Sequence, residues 1–202
     1  MTRDARAKVI PIRPRASSVD ALSDEGLVAA CAAGDANALA QLFDRLCDDV
    51  TRVLARLAYV DAQDIPDLVN DVFLAVFRAA PSYRKTSAVK TWVLAIASNI
   101  ARDRCRKATR GRTAMVELAV GAEEHDRRSL ERAVITKELV EKLNAAIPKL
   151  PHDLRVAFVM CDVEELPGVE VARVLGIPKG TLYRRLHEAR QMLRGFVEGG
   201  SR

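Results

Sequence analysis

Aromatic residues are scarce in this sequence, 4% of the chain, and Ala, Leu, Val and Arg dominate instead. That balance favours helices over a β-sandwich. No strand-like alternation and no internal repeat appears. No run approaches the roughly 18 apolar residues of a membrane span, which excludes membrane insertion. The N-terminal stretch "MTRDARAKVIPIRPRASS" is basic but lacks a continuous apolar segment, so no secretory signal is expected of it. Its Pro, Arg and Ser content reads as a flexible tail over residues 1–21. The cysteines Cys31, Cys47, Cys105 and Cys161 form no CxxC pair, and with His125, His152 and His187 they give no zinc-ligand quartet. Reduced thiols on helices, no metal, no cofactor and a cytoplasmic location are the expectation.

What is present is a soluble globular composition. Of 202 residues, 49% are hydrophobic and 29% charged, enough for one large domain or two small ones. The net charge of +5 is unevenly placed. Arg102, Arg104, Arg106, Lys107, Arg110 and Arg112 stand against Asp103 alone. Arg173, Lys179, Arg184, Arg185, Arg190 and Arg194 stand against Glu188 alone. Between the clusters, Glu117 to Glu141 holds seven acids and four bases. Solvated helix faces account for most charge runs. Two separated basic surfaces with an acidic connector point further, to a polyanion touched at two places.

Helical periodicity is plain from about residue 24. Leu39, Leu42, Phe43, Leu46, Val50, Val53, Leu54 and Leu57 form an i, i+3, i+4, i+7 series, with Asp35 placed to cap it. In "DIPDLVNDVFLAVFRAA", Pro66 suits a first helical turn and acidic residues crowd the positive end of the helix dipole. Val69, Val72, Phe73, Val76 and Phe77 form its apolar face, with Leu68 at the edge. "APSYRKTS" is a loop. A third helix carries Val89, Trp92, Val93, Ile96, Ala97 and Ile100 on one stripe and runs into the first basic cluster. The fold class is therefore all-α: two small helical domains, 22–108 and 131–202, joined by a flexible linker over 109–130.

Near the C-terminus, "VARVLGIPKGTLYRRLHEAR" has the spacing of a helix-turn-helix. Ala172 supplies the small residue where the helices pack, and Gly176 a turn position comfortable at positive φ. Ile177 plugs the angle, Pro178 opens the second helix, and Leu182, Leu186, Ala189 and Leu193 make a buried face. The opposite face offers Lys179, Thr181, Tyr183, Arg184, His187, Glu188 and Arg190, residue types that reach base edges and phosphates when a helix enters the major groove. An ordinary helical hairpin with a charged outside has the same pattern.

Two segments together resemble the extracytoplasmic-function (ECF, group IV) sigma factors of bacterial RNA polymerase. "DIPDLVNDVFLAVFRAAPSYRKTSAVKTWVLAIASNIARDRCRK" is similar to region 2 of that family. "LPHDLRVAFVMCDVEELPGVEVARVLGIPKGTLYRRLHEARQMLR" is similar to region 4, and the matches cover most of residues 35–195 in the family's order. The resemblance implies a non-enzymatic initiation factor that binds core RNA polymerase through its β′ clamp and β subunits, directs it to promoter DNA and aids melting. It implies that Asp67, Leu68, Asn70, Asp71 and Leu74 dock on the clamp coiled coil. It also implies that Arg84, Lys85, Ser87, Lys90 and Asn99 capture an unstacked base of the −10 element, with Arg102, Arg104, Arg106 and Lys107 on phosphates. Periodicity places Trp92 in the core rather than as a stacking platform.

In the second domain, the resemblance maps Tyr183, Arg184, His187 and Glu188 onto the positions that read the −35 element. Lys179, Thr181, Arg185 and Arg190 fall to phosphates, or Arg185 to an ion pair within the domain. Tyr183 and Glu188 depart from the basic residues common at their positions, which leaves the preferred sequence open but not groove binding. The family's acidic linker threads the polymerase RNA channel, and an anti-sigma factor is the expected controlling partner. Without the family match, the same residues also suit a dimeric helix-turn-helix regulator or a helical adaptor that binds only proteins.

Overall fold

The computed structural model describes residues 22–58, 61–111 and 140–199, the side chains at 107–111 and 198–199 excepted. Among the described residues every regular element is helical. Helix α1 (Asp24–Ala32) starts where the Ser23 hydroxyl accepts the Gly26 N–H at 3.2 Å. Helix α2 (Ala36–Leu57) starts at Asp35, whose carboxylate accepts the Asn37 N–H at 2.8 Å, the cap the sequence predicts. Of the predicted series, Leu42, Leu46, Val50, Val53, Leu54 and Leu57 are buried, and Leu39 and Phe43 are partly buried against the same core. Helix α3 (Ile65–Ala79) carries Pro66 in its first turn and packs Phe73 against Phe43, ring centroids 4.8 Å apart.

Helix α4 (Val89–Gly111) packs against α1, α2 and α3. Residues 109–111, expected to open the linker, instead extend this helix. The rest of the expected linker and the expected tail over 1–21 lie outside the described residues. The stripe expected on α4 is only part of its buried surface. Thr91, Leu94, Ala95 and Ser98 are buried as well. Thr91 donates to Glu170 at 3.1 Å and Ser98 lines a pocket with His152, both partners belonging to a second layer of helices described next. Trp92 is partly buried, its ring 4.9 Å from that of Tyr83, and packs as expected.

The C-terminal helices begin with α5, described over 140–146, and a 3-10 turn at Ile147–Lys149. Helix α6 (His152–Phe158) widens into a π turn at Val159–Val163, where the sequence reads as one uninterrupted helix. The turn closes with the Leu166 N–H on the Met160 carbonyl at 3.0 Å and Glu165 at φ +53°. Helices α7 (Gly168–Val174) and α8 (Lys179–Gly199) follow. Helix α8 packs on α6 and α7, and α7 in turn packs on α4, so both halves share one continuous core.

Arg155 ties the halves together. Its side chain is buried, donating to the carbonyls of Pro148 at 2.6 Å, Leu150 at 2.8 Å and, across the boundary at the end of α2, Leu57 at 3.5 Å. Burial pushes its pKa down to about 10, which still leaves it charged at neutral pH. A buried cation held by carbonyls at helix ends is stabilised by their partial negative charge.

Candidate nucleic-acid and partner interfaces

The sequence-predicted residues fall on three surfaces. The first is the outer face of α3. Asp67, Asn70, Asp71 and Leu74 are exposed together, spaced by three and four along one side of the helix, and Leu74 is 48% exposed. Leu68, expected on this face, does not join them: it is 0% exposed. One step along a helix turns a side chain by about 100°, and that step from Asp67 points Leu68 into the core. The face that remains is acidic and polar around one apolar side chain, the pattern of a protein-binding patch with a central anchor.

The second surface joins the loop before α4 to the outer side of that helix. The Tyr83 hydroxyl donates to the Ser87 carbonyl at 2.6 Å and ties the loop across its base, while Lys85 takes φ +54° at its tip. Burial, then the charges of Glu25, Glu170 and Asp24, raise the Tyr83 pKa, so it remains a donor. Arg84 and Lys85 are exposed and Ser87 is partly so. Lys90 reaches Asp49 at 2.9 Å and Glu164 at 3.6 Å. Asn99 is exposed and accepts from Arg102 at 2.7 Å, which pre-orients both groups on one side of α4. Arg104 and Arg106 are exposed, and the Lys107 side chain lies outside the described residues.

The third surface is α8. The predicted turn forms as the spacing requires: Gly176 has φ +66°, and the Ile177 N–H reaches the Ala172 carbonyl at 3.0 Å. Leu182, Leu186, Ala189 and Leu193 are buried. Outward, Lys179, Tyr183, Arg184 and His187 are exposed, with Thr181 and Glu188 partly so. The Arg184 side chain is 70% exposed and lies 3.8 Å from Glu188 one turn on. His187 pairs with Gln191 at 2.9 Å. Tyr183 lies against the start of α7, where a β-carbon on Gly168 would stand 3.1 Å from its hydroxyl. Glycine there lets the hydroxyl end of the ring come close to the backbone.

Two arginines of this helix are committed inside the fold. Arg185 pairs with Asp153, the alternative the sequence left open for it. Arg190 is bidentate to Asp162 at 2.8 and 2.7 Å, and that hydrogen bond raises its pKa. The phosphate role expected of Arg190 is therefore corrected to a brace between α8 and the π turn. Fork-to-fork geometry satisfies its guanidinium without DNA.

Sequence reasoning missed the residues that join the halves: Arg155, Glu164, Glu170 and Arg173. Arg155 had a visible signal, a lone cation inside the apolar run "LRVAFVM". The others had none, because Glu170 meets partners 79 and 82 residues away, and only the folded chain brings them near. Between the halves, Asn99, Arg102, His152, Asp153 and Arg185 line one small pocket.

The chain matches two family models, Sigma-70 region 2 over residues 42–111 and Sigma-70, region 4, over residues 141–193. It is 31% identical over 184 residues to the ECF RNA polymerase sigma-E factor of Haemophilus influenzae, covering 88% of this chain and 96% of the relative. The Escherichia coli sigma-E factor is 29% identical over 184 residues, covering 88% and 95%. In fold it resembles CnrH solved with the cytosolic domain of CnrY, with TM-score 0.61, 23% identity, and 88% and 99% of the two chains covered. It also resembles RpoE of Bartonella quintana solved with the anti-sigma factor NepR, with TM-score 0.60, 20% identity and coverage of 78% and 95%. With a helix-turn-helix behind a region 2 bundle, and relatives matched over nearly their whole length, this chain belongs to the ECF RNA polymerase sigma factors.

Proposed function

We propose that this chain, a group IV member of its family, binds core RNA polymerase in the cytoplasm and carries it to promoters with its own −10 and −35 preferences. It acts as an initiation factor and not as an enzyme. The observation that carries the reading is one chain bearing both a free polar face with an apolar anchor on α3 and a helix-turn-helix with Tyr183, Arg184 and His187 outward. Asp67, Asn70, Asp71 and Leu74 meet the β′ clamp. Arg84, Lys85, Ser87, Lys90 and Asn99 take the −10 strand, with Arg102, Arg104, Arg106 and Lys107 on phosphates. On α8, Tyr183, Arg184, His187 and Glu188 read the −35 element, with Lys179 and Thr181 on its backbone. The functional units are 22–108 and 131–202, with the N-terminal tail and the linker outside them. An anti-sigma factor controls the chain, a reading supported by neighbours of the same fold solved with CnrY and with NepR.

In vitro transcription with core polymerase over a library of genomic fragments tests this. The expected result is a set of transcripts that start at defined points and depend on the added chain. Absence of such transcripts, with the chain alone footprinting a palindrome, would replace it with a dimeric helix-turn-helix regulator.

A further inference from the structure

Glu188 lies on the outward side of α8 but carries the charge that DNA repels. Its carboxylate stands 3.8 Å from the Arg184 guanidinium one helical turn earlier, and both side chains reach solvent, Arg184 at 70% and Glu188 at 45%. Arg185 and Arg190, its neighbours in sequence, are engaged elsewhere: Arg185 pairs with Asp153, and Arg190 is held by both oxygens of Asp162. Helix stability gives little reason for the pair, because Arg before Glu is the weaker order at this spacing. A carboxylate on a groove-facing helix also works against binding, since the phosphates on either side repel it.

The pairing favours base recognition over phosphate. A bare arginine is drawn to any phosphate within reach, because that attraction carries no sequence information and needs no particular geometry. With Glu188 beside it the two charges cancel, and the sequence-independent pull is largely lost. Hydrogen bonding is kept. The Glu188 Oε1 stands toward the Arg184 Nη1, which leaves the Nε and Nη2 donors to form the fork that matches O6 and N7 of guanine. The pair strengthens as the groove expels water, because the local dielectric falls.

We propose that Glu188 is a positioning residue for Arg184, holding its guanidinium toward a guanine of the −35 element and away from the DNA backbone. This rests on the reading of α8 as the −35 helix, to which Glu188 contributes through Arg184 rather than by a base contact of its own. Weaker overall binding accompanies sharper choice.

Transcription with core polymerase tests it on a promoter that depends on the chain, each base pair of the −35 element being replaced in turn by the other three. The full chain is compared with Arg184→Ala, Glu188→Ala and the double variant. Both side chains face solvent, so helical circular dichroism and the urea midpoint should match those of the parent chain. Fluorescence anisotropy with a mixed-sequence duplex reads binding that is independent of sequence.

The expected result is that Arg184→Ala flattens a preference for guanine at one position. Glu188→Ala should cut the advantage of guanine at that same position by roughly threefold to tenfold, and the double variant should be no flatter there than Arg184→Ala alone. Binding of Glu188→Ala to the mixed-sequence duplex should rise, because a negative charge is gone. A side chain that only stabilised the helix would move neither readout. Loss at a different position, adding to that of Arg184→Ala, overturns the proposal and makes Glu188 a reader of a cytosine amino group. Tighter duplex binding with every preference kept also overturns it, and leaves Glu188 as a repeller of phosphate. In both of those outcomes the reading of α8 survives. An even loss over all promoter variants from Arg184→Ala would instead remove the base contact of Arg184 and this inference with it.

Discussion

The outer faces of α3 and α8 contrast with the loop and helix face between them. Among the described residues, Asp67, Asn70, Asp71 and Leu74 of α3 are exposed, and on α8 Lys179, Tyr183, Arg184 and His187 are exposed, the contacts of Tyr183, Arg184 and His187 lying within their own half. The segment around Thr86 to Thr91 is instead engaged by Glu164, Glu170 and Arg173. The difference separates two kinds of surface. The open faces are built on single helices whose inward sides are buried against core leucines and valines, which leaves their outward sides to solvent. The engaged surface consists of a helix start and a loop, whose unpartnered N–H and carbonyl groups take any neighbour that can satisfy them.

The comparison breaks most visibly on α3. Asp71→Ala with Leu74→Ala should abolish co-purification with core polymerase, a loss of at least about 100-fold if Leu74 is the anchor. Both side chains are exposed, so the urea midpoint of the variant should match that of the parent chain. Co-purification that survives would remove this face from the polymerase contact. Leu68→Ala sharpens the contrast one residue away. Its side chain is 0% exposed, and its truncation should cost about 2–5 kcal/mol of stability in urea unfolding. Normal stability with lost polymerase binding would return Leu68 to the interface.

Leu68 also shows what the sequence carries and what it does not. Periodicity located the apolar faces of α2 and α3, the Asp35 cap and the Gly176 turn, because each depends on neighbours within about one or two helical turns. Leu68 was ambiguous because it lies on the boundary between two faces, where an angular argument alone does not decide. The burial of Thr91 and Ser98 on α4 was illegible for a different cause. It comes from helices more than 50 residues later, and no local pattern announces a contact of that range. Arg185 and Arg190 belong to the same class. Their types and positions suit phosphate, and only the folded chain places Asp153 and Asp162 beside them.

Within α8 the contrast is between arginines that are free and arginines that are braced. Arg184→Ala should lose about 1–3 kcal/mol of discrimination at one position of the −35 element, measured by transcription from promoter variants. A loss spread evenly over all variants would move Arg184 to the phosphate backbone. Arg190→Ala should leave promoter preference unchanged and lower stability by about 0.2–1 kcal/mol, since more than half of its side chain faces solvent. Asp162→Ala should produce a similar loss of stability. A change in preference from Arg190→Ala would restore its DNA role.

The smallest expected effect concerns acid and the seam between the halves. Both ring nitrogens of His152 are closed off from solvent. Burial lowers its pKa from 6.5, Arg102 and Arg106 on α4 lower it further, and Asp153 and the Ser98 backbone oppose them. Arg185 of α8 lines the same pocket and adds a cation paired to Asp153. The unfolded chain thus takes up a proton near pH 6.5 that the folded chain resists. Stability from this group is complete above about 6.5 and declines as pH falls below it. In urea unfolding between pH 7 and 5.5, His152→Gln should lose less stability than the parent chain, because the parent alone must place a proton beside Arg102. Equal losses in the two proteins would show that other groups set the acid sensitivity. If the seam itself yields before the bundles, scattering at pH 5.5 should show the parent chain expanding while its helical circular dichroism is retained.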